Sequence, residues 1–283
     1  MNEERLVFDR IADDYDRVRP RYPPAIIDAA CSKAELRAGS RIVEVGCGTG
    51  KLTEALVARR LQVEAIDPGP ELVQLARRRV RDSTVRFHIG RFEDVRLPEG
   101  VFEAVFSATA FHWVDPKVGW AKVARLLRPQ GVLALFGYVG GWGLSLTRIA
   151  SGLELDEDVV RAWREVFPEE AFWRSRDPKT VWHGAEERLG NVSELWAWLV
   201  SHDIARPEAA ELFTDVEYAS VRIEREETTE ESLAVLRTTA AYLSLRADRR
   251  EFLETRLKAI LDDAGGVYRS TAFATVVSAR AAT

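Results

Sequence analysis

Sulfur and histidine are scarce in this chain. Of its 283 residues two are cysteine, one is methionine and four are histidine. Two cysteines, Cys31 and Cys47, cannot build a disulfide framework, and a reducing cytoplasmic compartment is the simplest setting. His183 and His202 have no cysteine or acid at metal-ligand spacing, so no metal is implied. Basic excess is absent as well. The 40 basic and 45 acidic residues leave a net charge of −5, a poor electrostatic footprint for nucleic acid. No apolar run approaches the length that spans a membrane. The opening Met-Asn-Glu-Glu-Arg lacks the basic start and apolar core of a secretion leader. Neither an internal repeat nor a low-complexity stretch is found. What is left is an ordinary soluble composition, 46% apolar and 30% charged, of a length for one large domain or a domain with an insertion.

Against that background, Ile42 to Gly50 stands out. The β-branched run Ile-Val-Glu-Val meets Gly46, Gly48 and Gly50, and a helical pattern begins at Lys51. This is a buried strand, a tight turn and a helix start, with glycines that let a ligand approach the backbone. The glycine spacing is not Gly-x-Gly-x-x-Gly, the dinucleotide fingerprint. No lysine-serine or lysine-threonine pair follows, so it is not a phosphate-cradling loop. The next strand, Val63–Ile66, ends in Asp67, whose carboxylate can accept both hydroxyls of a ribose. Glu44, before the glycines, repels a pyrophosphate and attracts an ammonium, directly or through water. A ligand with a ribose, a cationic amine and no need of phosphate is S-adenosylmethionine.

The chain alternates strands and helices: strands at 41–45, 62–66, 84–89, 103–107 and 131–137, and helices at 51–60, 70–80 and 117–128. This predicts an α/β fold with a doubly wound parallel sheet. Ligands on such sheets bind at the carboxyl ends of the strands, where Gly46, Asp67, Gly90, Ser107 and Phe136 fall. A short helix at 5–16 and another at 25–37 flank the break Arg19-Pro20-Arg21-Tyr22-Pro23-Pro24. After Tyr138 the regularity ends, with helical patterns at 156–167 and 192–202 and loops between. It resumes with a strand at 216–223, helices at 229–245 and 248–263, and a last strand at 267–279. The basic run Arg77-Arg78-Arg79 with Arg81 reads as a solvated helix end that suits the helix dipole.

Several ordered motifs resemble a class I S-adenosylmethionine-dependent methyltransferase of the small-molecule, methyltransferase-11-like type. They are Val43-Glu44-Val45-Gly46-Cys47-Gly48-Thr49-Gly50, Ala65-Ile66-Asp67-Pro68, Phe102 to Ser107, and Leu126-Leu127-Arg128-Pro129-Gln130-Gly131. Together they cover about a third of the chain. The resemblance implies a Rossmann-like seven-stranded sheet whose last strand is antiparallel. It also implies a division into an N-terminal helical lid (1–30), a donor-binding core (31–139), a helical cap insertion (140–210) and C-terminal elements completing the core (211–283).

The resemblance also assigns roles. Phe111-His112-Trp113-Val114-Asp115-Pro116 resembles the loop of small-molecule members related to trans-aconitate methyltransferase. It is not the Asn/Asp-Pro-Pro-Tyr/Phe of enzymes that methylate base amines. His112 stands where a general base reaches the acceptor, or else fixes the loop by hydrogen bonding. In relatives the Tyr15…Arg19-Pro-x-Tyr22 stretch folds over the donor, with Arg19 toward a carboxylate and Tyr22 toward the substrate. Gly46, Cys47, Gly48, Asp67 and Pro68 are expected at the donor with Glu44 and Ser107. Arg91 and Phe92 replace the Asp-Ala that relatives carry beside the adenine, so Phe92 or Glu93 is left to read that ring. On the acceptor side the candidates are Trp113, Tyr138 and Trp142, with loop packing the competing reading for Trp113. Trp163, Trp173, Trp182, Trp196 and Trp198 add to an aromatic cap, and 196 and 198 cannot both face inward on one helix.

The function implied is methyl transfer to oxygen or carbon of a small, mostly apolar metabolite, with no nucleic-acid or membrane partner. Two alternatives stay open. One is a protein that binds S-adenosylmethionine and cyclises or rearranges a small molecule without methyl transfer. The other is a carboxylate O-methyltransferase of the trans-aconitate type, which needs cationic positioning from Arg19 or Arg21.

Overall fold

The computed structural model describes residues 8–139, 154–166, 178–200, 202 and 204–282. A turn at Asp9–Ile11 leads into α1 (Ala12–Val18), and α2 (Pro24–Lys33) follows with proline in its first turn. Then come β1 (Arg41–Val45), α3 (Lys51–Val57), β2 (Gln62–Asp67), α4 (Pro70–Arg79), β3 (Val85–Ile89) and β4 (Phe102–Ala108). The core run ends with α5 (Pro116–Leu126) and β5 (Leu127–Val139). These match the sequence-predicted elements closely, because apolar runs bounded by glycine and proline leave little choice.

Beyond β5 lie α6 (Glu154–Val166), α7 (Pro178–Glu186), α8 (Val192–Val200), α9 (Ala209–Leu212) and β6 (Phe213–Thr228). The chain ends with α10 (Thr229–Leu236), α11 (Ala240–Ser244), α12 (Ala247–Asp263) and β7 (Val267–Ala281). The sheet has seven strands in the order β3-β2-β1-β4-β5-β7-β6. Strands β1 to β5 pair in parallel, and β7 runs antiparallel to both neighbours, as the resemblance implied. The β6–β7 hairpin is longer than its sequence pattern, because it projects past β5 and carries α10–α12 at its end.

Each sheet face has its own core. On one side α2 and α3 bury Ile26, Leu52 and Leu56 against Ile42, Phe106 and Phe136. On the other, α5 and α8 bury Trp120, Val123 and Trp196 against Val43, Val105 and Leu133. The 140–210 segment was expected as one cap. Its described part has two homes instead. Helices α7 to α9 close a sheet face, whereas α6 joins α10, α11 and α12 in a third core around Trp163 and Tyr268. Helix α7 was expected as loop. Its apolar positions are few, and they find partners only in α8 and the sheet.

Of the cap tryptophans, 142 and 173 lie outside the described residues. Trp196 points inward and is fully buried on Gly137, where a Cβ would meet its ring at 2.7 Å. Trp198 faces α7, donating its indole N–H to Val181 O at 2.9 Å with Arg188 over the ring. These residues hold elements together, and packing is their role. Trp196→Ala is expected to destabilise the fold by about 3–5 kcal/mol. Urea denaturation measures it, and a loss below about 1 kcal/mol would remove Trp196 from the core that seats α8.

Candidate active site

The glycine turn is built differently from a ligand cradle of open amides. Gly46 N and Cys47 N both donate to Ile66 O, at 2.8 and 3.0 Å, and Gly48 N donates to Asp67 Oδ2 at 2.9 Å. The turn therefore ties β1 to the end of β2, and these three amides are spent inside the protein. The glycines serve by lacking side chains. A Cβ on Gly46 would meet Ala110 at 2.2 Å, and one on Gly50 would meet Ala76 at 2.9 Å. A Cβ on Gly48 would meet nothing within 4 Å, because it would point into a cavity.

The cavity, about 420 Å³, lies over the carboxyl ends of β1, β2 and β4. A second compartment of about 220 Å³ adjoins it toward β5 and shares Tyr15, Arg19, Thr109, His112 and His202 with it. Gly46, Gly48, Asp67, Pro68, Arg91 and Phe92 line the larger space with Trp113. Tyr22, Glu44, Cys47 and Tyr138 line the smaller. The structure thus brings together all the sequence-predicted site residues within its described part except Ser107. Ser107 is fully buried in β4 and donates its hydroxyl to Val45 O at 2.8 Å, so it knits strands and does not face the donor.

Asp67 sits at the floor of the larger space. Its Oδ1 accepts from Gly69 N at 2.9 Å and its Oδ2 from Gly48 N. Each oxygen keeps a lone pair, the acceptor pattern for two neighbouring ribose hydroxyls. Burial raises the acid to about 6, against the pull of those two amides. Phe92 offers an apolar wall, fixed from behind by Lys122, whose ammonium donates to Phe92 O at 2.5 Å and stacks over the ring. Arg91 turns to Glu93, donating at 3.1 Å, and Glu93 Oε1 also accepts from Asp115 N. These features fit the adenosine half of S-adenosylmethionine.

Glu44 has its carboxyl buried in β1, where it accepts from Thr53 Oγ1 at 2.6 Å, and burial raises it to about 8. It lines the smaller compartment, where a facing ammonium would favour its charged form. Cys47 has its thiol buried and pushed up by burial. Its backbone matters, as its place in the turn suggests.

The smaller compartment is bordered by stacked rings. Tyr22 stacks on Tyr138 with centroids 4.7 Å apart, and edge-on against Phe136. His112 stacks on His202 at 4.4 Å with planes 8° apart. Burial, with His202 as second cause, lowers His112 to about 3, so its imidazole is neutral. Its buried Nδ1 has no hydrogen-bond partner among the described residues. Between these pairs, Thr109 holds φ +48° at the end of β4. A β-branched residue there costs about 1–3 kcal/mol, strain that concentrates at functional sites.

Sequence reasoning missed part of the wall. Phe8 packs on Tyr15 and Trp113, and Thr239, Ala240 and Ala241 close the far side. His202 was read only as a non-ligand. No local signal marks these residues, since they arrive from distant segments of the chain. Arg79 is a further correction. It is not a solvated helix end: it is largely shielded and bonded to Asp16 and Thr49. Arg77, in contrast, lies exposed.

Residues 43–135 match the methyltransferase domain family. An uncharacterized methyltransferase of Mycobacterium tuberculosis is 37% identical over 156 residues, covering 55% of this chain and 60% of that protein. A ubiquinone biosynthesis O-methyltransferase of Xanthomonas oryzae is 37% identical over 116 residues, 40% of this chain and 48% of its own. The chain thus spans less than two thirds of the curated relatives it matches. Among solved structures, one from Anaeromyxobacter dehalogenans, described as a type II methyltransferase, superposes with TM-score 0.62 at 23% identity, covering 93% of this chain and 97% of that one. That likeness shows the fold.

With Asp67 charged to accept from both hydroxyls, donor affinity is expected to be full well above pH 6, about half of that near pH 6, and to fall toward tenfold per pH unit below it. Asp67→Ala is expected to weaken S-adenosylmethionine binding by about 2–4 kcal/mol. Calorimetry across pH checks both, and equal affinity at pH 5 and pH 8 would remove Asp67 from the donor site.

Proposed function

The chain carries a methyltransferase domain of the class I, S-adenosylmethionine-dependent kind, and from this premise we propose that it transfers a methyl group to a small, mostly apolar acceptor. The observation that carries this is the adjoining pair of compartments. One is floored by the Asp67 carboxylate and walled by Phe92. The other is lined by paired aromatic rings with the imidazole of His112 at their junction.

Bound S-adenosylmethionine supplies a methyl on a sulfonium, activated because the sulfur leaves as a neutral thioether. The chain's own residues then have one main task, to hold the acceptor atom opposite that methyl. Positioning of this kind contributes about 7–11 kcal/mol. Tyr15 and Arg19 from α1 and its end form the roof. Phe8, Trp113 and the Thr239–Ala241 wall line the larger space with them.

Charge narrows the acceptor. Arg19 donates to Thr238 Oγ1 and O, and Arg91 to Glu93. Lys51 donates to the carbonyls of Asp16 and Arg19. Arg21 is spent on Glu54 at the surface. These cations are all engaged by protein acceptors, which disfavours a carboxylate acceptor of the trans-aconitate type. The neutral imidazole of His112 lines both compartments and suits an acidic hydroxyl, such as a phenol or an enol, that gives up its proton as the methyl arrives. The Tyr22 hydroxyl is buried beside Thr109. Carbon acceptors remain compatible with the aromatic lining.

Incubation with methyl-labelled S-adenosylmethionine and panels of phenols, enols and carboxylates tests this reading. Label is expected in phenol or enol products. His112→Ala is expected to lower kcat by about 10²–10³-fold with the donor KM little changed. Product change without label would support cyclisation or rearrangement instead. Label confined to carboxylates would overturn the hydroxyl assignment.

A further inference from the structure

We infer that Asp16 is a positioning residue that holds the roof of the donor cavity in place through Arg79 and Thr49. The inference rests on the donor reading above, but its central pair, Asp16 and Arg79, lines neither compartment. The Asp16 carboxylate takes two bonds from Arg79 Nη2, at 2.8 and 2.6 Å, and one from Thr49 Oγ1 at 2.6 Å. Lys51 adds its ammonium 3.7 Å away. Arg79 in turn donates to Thr49 O and, at 3.1 Å, to Thr49 Oγ1. One carboxylate thus joins α1, the glycine turn and the end of α4.

The arrangement has a counterpart at the other end of α4. Asp9 Oδ1 accepts from Glu71 N at 2.8 Å and Leu72 N at 3.0 Å, the orphan amides of the helix start. Gly69 permits this, since a Cβ there would lie 2.6 Å from Asp9 Oδ1. The N-terminal segment is therefore fastened along α4 at two points, Asp9 at its start and Asp16 at its end. Between and just after these points lie the residues it delivers to the cavity, Tyr15 and Arg19. Arg19 N donates to Tyr15 O at 3.0 Å and its guanidinium stacks over that ring, so the two move as one unit.

The cluster is strong enough to act in this way. The side chains of Arg79 and Asp16 are 17% and 23% exposed, and Thr49 is buried. Burial opposes the charge of Asp16, yet the bonds from Arg79 and Thr49 outweigh it and draw the acid below its usual range. Removing one member leaves a shielded charge without its partner, which costs more than an exposed pair. Asp16 and Arg79 line neither compartment, and Thr49 and Lys51 lie at the edge of the smaller one. The effect of Asp16 and Arg79 reaches the donor through where α1 sits.

The test is made on the full chain with Asp16→Asn, Asp16→Glu, Arg79→Gln and the double variant Asp16→Asn with Arg79→Gln. Donor KM, kcat and S-adenosylhomocysteine dissociation are measured for each. Asp16→Asn and Arg79→Gln are each expected to raise donor KM and dissociation rate about tenfold or more, with kcat at saturation within about threefold, and the double variant is expected to be no worse than either single one. Asp16→Glu should restore most of the affinity. Thr49→Val, nearly isosteric, should raise donor KM by about threefold, and it serves if the charge variants fail to fold. Unchanged donor KM in Asp16→Asn or Thr49→Val, or losses that multiply in the double variant, would overturn the inference. Failure of the wild-type chain to bind the donor would instead strike the functional reading.

Discussion

A carboxylate held at the buried end of β2 is the constraint on which the rest of the site depends. Asp67 has no room to ionise freely, and only two glycine amides and open space on the cavity side compensate for its burial. The turn after β1 must bring Gly48 N to it, the turn after β2 must bring Gly69 N, and neither turn can carry a side chain at those positions without crowding the acid or the cavity. Strand order places both turns on one rim. The cost of keeping a carboxylate there is offset when a ligand with two hydroxyls takes up the remaining lone pairs.

From that point the site grows outward in layers. Parallel strands set the floor, and the loop after β4 brings His112 and Trp113 alongside it. Two distant segments then fold over the top, α1 and the α10–α11 turn, joined by Arg19 and Thr238. The larger compartment is floored by Asp67 and walled by Phe92, and the smaller mixes the rings of Tyr22 and Tyr138 with Glu44, Thr49 and Lys51.

The core was legible because its signals are local. Gly46 to Gly50 and Asp67 stand directly at the ends of clearly patterned strands, and their chemistry follows from residue type. Ser107 was misplaced because a period-two strand fixes which face a side chain takes, and its hydroxyl was claimed by Val45 across the sheet. The raised acid of Glu44 was not legible, because sequence does not report desolvation. Arg79 looked like any basic helix end, since its partner Asp16 is 63 positions away. His202 and Thr239 reach the cavity only through packing of α8 and α10, which no spacing rule encodes.

The most direct measurement is a crystal structure of the full chain with S-adenosylhomocysteine. Both ribose hydroxyls are predicted within hydrogen-bond distance of the Asp67 carboxylate, with the adenine against Phe92 and the thioether facing the compartment of His112 and Tyr22. A nucleoside seated elsewhere, or an Asp67 that touches only its two glycine amides, would contradict the central claim.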